Sequence, residues 1–143
     1  MEILYFPISQ FSSRFGENFF SFKIRSWKYN RDPTFCSLEE LYIEYELEMY
    51  MGRKKWSIFR RFSDLIQLHY YLVQNYPNLQ ETLPHHPPKS CYRILYNKLF
   101  IEHRIKLLEA YLNSLFLVLS VNKCLGDGMV GQFFQFDRDK LAS

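Results

Sequence analysis

Lys55-Trp56-Ser57-Ile58-Phe59-Arg60-Arg61-Phe62-Ser63-Asp64-Leu65 changes its period half-way along, and the rest of the chain is organised around that change. Its first half is short and rich in aromatic and β-branched residues, which is the composition of a strand. Beyond it Leu65, Leu68, Leu72 and Tyr76 recur at helical spacing, so a helix begins where the strand ends. The spacing sets Ser63 at the helix N-cap and closes the helix near Tyr76-Pro77-Asn78. The first N–H groups of a helix have no partner within it and carry the positive end of its dipole. An anion beside Arg61 would therefore meet both charge and oriented donors. Strand side chains alternate, so Arg60 and Arg61 point to opposite faces and only one of them enters a given pocket. Taken alone, the two arginines read equally well as solvated charges at a strand end.

Upstream, Phe20, Phe22 and Ile24 alternate with Ser21, Lys23 and Arg25, the period of a half-buried strand. Asn30-Arg31-Asp32-Pro33 is expected to end it. A second strand carries Ile43, Tyr45, Leu47 and Met49 on one face and Glu44, Glu46 and Glu48 on the other. The glutamates are read as the solvated face of an antiparallel sheet, not as a metal or catalytic cluster. Gly52-Arg53-Lys54 turns the chain into the third strand of a meander. Residues 1–18 mix Phe, Ser and Pro without a sustained period, an extension that either packs as a lid or stays loose.

Downstream, Leu83-Pro84-His85-His86-Pro87-Pro88-Lys89 is stiff and extended because proline fixes φ and removes donors, and it presents Lys89 at its end. Tyr92, Ile94, Leu95 and Tyr96 follow, flanked by Arg93 and Lys98. That mixture suits a loop at a bilayer interface, or equally the inward-packing start of the next helix. The long helix has its apolar stripe at Ile101, Ile105, Leu108, Leu112 and Leu115. Arg104 lies about 60° from the centre of that stripe, so its guanidinium either reaches water or lines a pocket. Gly126-Asp127-Gly128 turns the chain into a short closing helix from Val130 to Phe136.

At 143 residues, 48% of them apolar and 19% aromatic, the chain can bury one core, and a single domain is expected. Glu2 and Pro7 interrupt the first apolar residues with no basic region before them, which is not a secretory pattern. The most apolar run, Leu107 to Val121, contains Glu109, Asn113 and Ser114 and falls short of a membrane span. Cys36, Cys91 and Cys124 are far apart and odd in number, consistent with reduced intracellular thiols, and no zinc spacing is present. His85-His86 lacks Cys or carboxylate support for a metal. If either titrates near neutrality, anion affinity rises on mild acidification. Between Arg53 and Lys106 ten Lys/Arg face three acids, a local +7 against a total of +3, and such segregation points to an anionic partner. No GxSxG, P-loop, dinucleotide fingerprint, HExxH or kinase signature occurs, so the chain is read as non-enzymatic, with no cofactor.

Together, Arg60-Arg61-Phe62-Ser63-Asp64-Leu65 after the third strand, Pro87-Pro88-Lys89, and His103-Arg104-Ile105 followed by Leu108-Glu109-Ala110-Tyr111-Leu112 resemble the phox-homology (PX) domain of sorting nexins. The likeness runs from about Phe19 to Phe136. It delimits a domain at 19–137 between an extension, 1–18, and a tail, 138–143. The resemblance implies an α+β fold, a three-stranded antiparallel sheet packed against a helical subdomain with a proline-rich loop and a lipid pocket between them. It also implies that Arg61 grips the 3-phosphate of phosphatidylinositol 3-phosphate. Phe62, where the family more often has tyrosine, would lie against the inositol ring, Lys89 would meet the 1-phosphate, and Arg104 would bond the 4- and 5-hydroxyls. Tyr92, Ile94, Leu95 and Tyr96 would be the membrane-inserting loop. The expected setting is cytoplasmic, peripheral on endosomal or vacuolar-type membranes, in protein transport. One rival is a PX-fold protein-interaction domain with weak or no lipid specificity. Another, a single-stranded nucleic acid binder, lacks the aromatic platform motif, and no nucleic acid partner is expected.

Overall fold

The alternating segments pair into one sheet and the helical ones cover a single face of it. A computed structural model describes residues 2–32, 40–87 and 98–136. The strands are β1 (Leu4–Tyr5), β2 (Phe19–Asp32), β3 (Glu40–Met51) and β4 (Lys54–Arg61), in the spatial order β1-β2-β3-β4. The helices are α1 (Phe62–Asn75), α2 (Lys98–Val121) and α3 (Gly128–Phe134). Phe20 and Phe22 from β2, Leu47 and Met49 from β3, and Ile58 from β4 form the buried sheet face, against which Leu72, Leu108, Leu112, Phe116 and Phe134 pack. The fold is α+β, as expected.

The sheet has a fourth strand that the alternation did not reveal. β1 pairs in parallel with β2, Leu4 opposite Phe19 and Tyr5 opposite Phe20. Two residues are too short for a visible period; what holds them is Tyr5. Its ring is buried and packs on Phe20 at 5.1 Å and Phe116 at 5.2 Å, and its hydroxyl donates to Asn113. The segment that follows crosses the β3–β4 turn, where Gly52 adopts φ +58° and donates its N–H to the Phe19 carbonyl at 3.0 Å. A Cβ there would sit 3.0 Å from the Glu17 Cα, so both conformation and space call for glycine.

Three other expectations need correction. β2 does not end at Asn30 but stays paired with β3 as far as Asp32, because cross-strand pairing outweighs the weak strand preference of Asn and Asp. Its register shifts between Ile24 and Ser26. That bulge changes the parity of the inward residues, so Trp27 and Tyr29 fall opposite Tyr45 and Ile43. Ser63 is not the N-cap of α1. Arg61 is, with extended backbone, and its N–H donates to Asp64 Oδ2 at 2.9 Å, so the carboxylate three residues on does the capping. Nor are all three glutamates of β3 solvated. Glu48 is buried under Lys23, Arg25 and Lys55 at 3.6, 3.0 and 3.6 Å. The Tyr50 hydroxyl, which donates to it, and then those cations hold its carboxyl below the usual range although burial opposes them.

At the far end, Asp127 caps α3 by accepting from the N–H groups of Met129 and Val130 at 2.9 and 3.2 Å. The same carboxylate accepts from Tyr71 and Tyr76, which ties α3 to the end of α1.

Candidate functional site

The β4–α1 junction separates the two arginines as strand alternation requires. The Arg60 guanidinium turns toward α3, donates to the Phe133 carbonyl at 2.5 Å and to its neighbour Phe59 at 2.8 Å, and lies over the Phe133 ring. Burial lowers its pKa, with Asp64 and Glu44 opposing. Arg60 thus closes the C-terminal end of α3, where a cation meets the negative end of the dipole. It also lines an open cleft of about 410 Å³ between α1 and α3, together with Asp64, Gln67, Tyr71, Gln132 and Phe133.

Arg61 takes the other side. Its guanidinium carbon lies 4.0 Å from the centroid of the Tyr42 ring on β3. The next residue, Phe62, opens α1 with its ring 3.6 Å from the guanidinium carbon of Arg104, which comes from α2. Arg104 is 6% exposed, more enclosed than a border position on the helical stripe predicts. Burial lowers its pKa, and the nearby Tyr45 hydroxyl, itself raised by burial, pulls the other way. A guanidinium remains protonated at any physiological pH, so a permanent cation is held under the sheet and stacked on an aromatic face. Such a group favours any anion that can reach it, because part of the cost of removing it from water has already been met in folding.

Phe62 and Arg104 are therefore brought together, with Arg61 adjoining them along the chain. Lys89 and the segment containing Tyr92, Ile94, Leu95 and Tyr96 lie outside the described residues. Tyr42 and Tyr45 were missed in the sequence. Both sit in a β3 stretch whose alternation assigns one to the outer face and one to the core, and nothing local distinguishes them from structural aromatics.

A second cluster adjoins the proline-rich segment. His69 of α1 has its Nδ1 2.9 Å from the Tyr111 hydroxyl of α2, and the His86 ring stands 5.1 Å away, edge-on. Burial, and then the neighbouring His86 and His85, hold the His69 pKa below its usual value. Unfolded, the imidazole titrates near 6.5, so the folded state binds fewer protons and stability falls as pH drops below about 6.5. Thermal melts from pH 7.5 to 5.5 should show this decline, and His69→Gln should flatten it. An unaltered slope in that variant would assign the decline to other groups. Among the described residues no group of three or more His, Cys, Asp or Glu is arranged to hold a metal ion, and no helix is long and apolar enough to cross a membrane.

A family model for the PX domain matches residues 48–137. A designed CISK-PX domain is similar in structure, with a TM-score of 0.64 and 25% identity over 80% of this chain and 97% of that one. The mouse SNX19 PX domain with bound sulphate ion aligns with a TM-score of 0.57 over 80% of this chain and 93% of its own, and at 18% identity the likeness is one of fold. No curated protein matches the chain.

Proposed function

The chain belongs to the PX domain family, and from that premise we propose that it binds phosphatidylinositol 3-phosphate and docks on endosomal or vacuolar-type membranes in vesicle trafficking or protein sorting. PX domains are generally non-catalytic modules that bind phosphoinositides and associate peripherally with membranes. The observation that carries the finer reading is the enclosed Arg104 guanidinium stacked on Phe62, immediately beside Arg61. In this reading Arg61 takes the 3-phosphate, Phe62 backs the inositol ring, and Arg104 presents its fork to the 4- and 5-hydroxyls, where a planar donor set discriminates better than a point charge. Lys89 meets the 1-phosphate. Tyr92, Ile94, Leu95 and Tyr96 enter the interface beside it, and the surrounding positive field adds attraction to anionic lipid that salt screens.

Liposome pelleting with phosphatidylinositol 3-phosphate, phosphatidylinositol 4,5-bisphosphate or unphosphorylated phosphatidylinositol, at low and high ionic strength, tests this reading. Binding should weaken as salt rises, while the preference for the 3-phosphate persists, because phosphates at positions 4 and 5 collide with the Arg104 fork. Equal binding to all inositides, or a preference that vanishes in high salt, would favour a PX-fold domain that serves protein contacts and meets membranes through charge alone.

A further inference from the structure

The cleft between α1 and α3 is lined by neither Arg61 nor Arg104. Arg60 and Phe133 stand at one end of it, joined by a hydrogen bond, and Tyr71 and Met129 at the other. Leu68, Met129 and Phe133 supply its apolar surface, and Asp64, Gln67 and Gln132 its polar rim. At about 410 Å³ it is large enough to hold a ligand. Arg60 is fixed there without being neutralised. Its hydrogen bonds go to the main-chain carbonyls of Phe59 and Phe133. Asp64 and Glu44 act on it from a distance, and among the described residues no carboxylate comes within ion-pair reach of it. A guanidinium carries five N–H donors, of which the two carbonyls take two. We propose that this cleft binds an extended peptide segment of a protein partner, with an apolar side chain entering between Leu68, Met129 and Phe133 and a neighbouring Asp or Glu side chain meeting Arg60.

The chemistry of the rim selects a peptide. Gln67 and Gln132 are exposed, and among the described residues their side-chain amides have no protein partner. An amide donates and accepts at once, which matches a peptide main chain and is of no use to a lipid tail. Asp64 accepts the Arg61 N–H through Oδ2, leaving Oδ1 for an N–H of the ligand. Met129 is 51% exposed, and its flexible thioether adapts to the apolar side chain it meets. The preference for an acid follows from Arg60, the cation of the cleft, whose spare donors make charge-assisted bonds to a carboxylate. Strand alternation sends Arg60 and Arg61 to opposite faces, so a peptide here and an anion at Arg61 are held at separate places. The inference therefore stands apart from the lipid reading.

Selection of a random phage-displayed peptide library on the wild-type protein, followed by titration calorimetry with the synthetic form of the most enriched peptide, tests it. Enriched peptides should share an apolar residue next to Asp or Glu, and the synthetic peptide should shift the backbone NMR resonances of Gln67, Tyr71, Met129 and Gln132. Met129→Glu changes an exposed position and leaves the core intact; by setting like charges together it should weaken the peptide roughly tenfold or more. Exchanging the peptide's acid for its amide should weaken binding to wild type roughly tenfold and make little further difference to Arg60→Gln, a coupling that a merely structural Arg60 would not show. No enrichment, enriched peptides without the apolar and acidic pair, resonance shifts outside the cleft, full affinity in Met129→Glu, or independent losses in the Arg60→Gln cycle would each overturn the inference. So would pelleting with phosphatidylserine vesicles that Met129→Glu abolishes, which would make this face a membrane contact. A dimer in sedimentation that the same change dissolves would also overturn it, by making the face a contact between copies.

Discussion

Arg61→Ala is expected to lower affinity for phosphatidylinositol 3-phosphate liposomes roughly ten- to over a hundredfold, the equivalent of a charge-assisted contact of about 1.5–3 kcal/mol. The variant should fold as well as wild type does. Asp64 caps α1 through the main-chain N–H of residue 61, which alanine retains, and the stacked guanidinium is only half-buried. Arg60→Ala supplies the contrast. It removes the bond to the Phe133 carbonyl that closes α3, so it should cost stability and leave headgroup affinity of the folded protein largely intact. Wild-type binding by a folded Arg61→Ala protein, measured by pelleting and checked by circular dichroism, would discard the proposed 3-phosphate ligand.

The other large effect is expected far from the pocket. Tyr5→Ala should destabilise the protein by about 3–5 kcal/mol, the usual loss for emptying a large buried aromatic site, and lower the melting temperature on the order of 10 °C or more. Tyr5 packs between sheet and α2, against Phe20, Phe22 and Phe116. Tyr5→Phe should lose only about 1 kcal/mol, since it keeps the ring and forfeits the hydroxyl's bond to Asn113. A melting temperature unchanged by Tyr5→Ala would mean that β1 contributes no stability to the sheet.

What could be read beforehand follows from the reach of each signal. Ile43, Tyr45, Leu47 and Met49 repeat often enough to fix a strand and its buried face, and Leu65, Leu68 and Leu72 do the same for α1. β1 was invisible because its strand character comes from a parallel partner and a ring pocket, not from any period in Leu4–Tyr5. The β2 bulge was present as a parity change, inward residues Phe20, Phe22 and Ile24 giving way to Trp27, with Tyr29 in phase with it but exposed, and a change of parity also fits a strand that simply stops. At the site, Phe62 beside Arg104 was foreseeable only by resemblance. Periodicity put Arg104 at the edge of a stripe, and its enclosure depends on Phe62 and Tyr45 from other elements. The contact of Arg61 with the Tyr42 ring was out of reach for the same reason, since the register of β3 on β4 decides it. Ser63 as N-cap failed because Asp64, one residue later, accepts from the main-chain N–H of Arg61.

β1 also bears on how the chain reaches its native state. The backbone N–H of Tyr5 donates to Ser120 Oγ and its hydroxyl to Asn113, so the first strand is held by a helix from the other end of the sequence. During synthesis, which proceeds from the N-terminus, Tyr5 has no α2 to dock on until residues past Ser120 have left the ribosome. The β2–β3 and β3–β4 hairpins are local and can form earlier. Tyr5 therefore stays incompletely packed until α2 has been made, whereas Phe6, Phe11 and Phe15 have their ring partners, Phe19 and Tyr50 among them, in the first fifty residues and can settle before it.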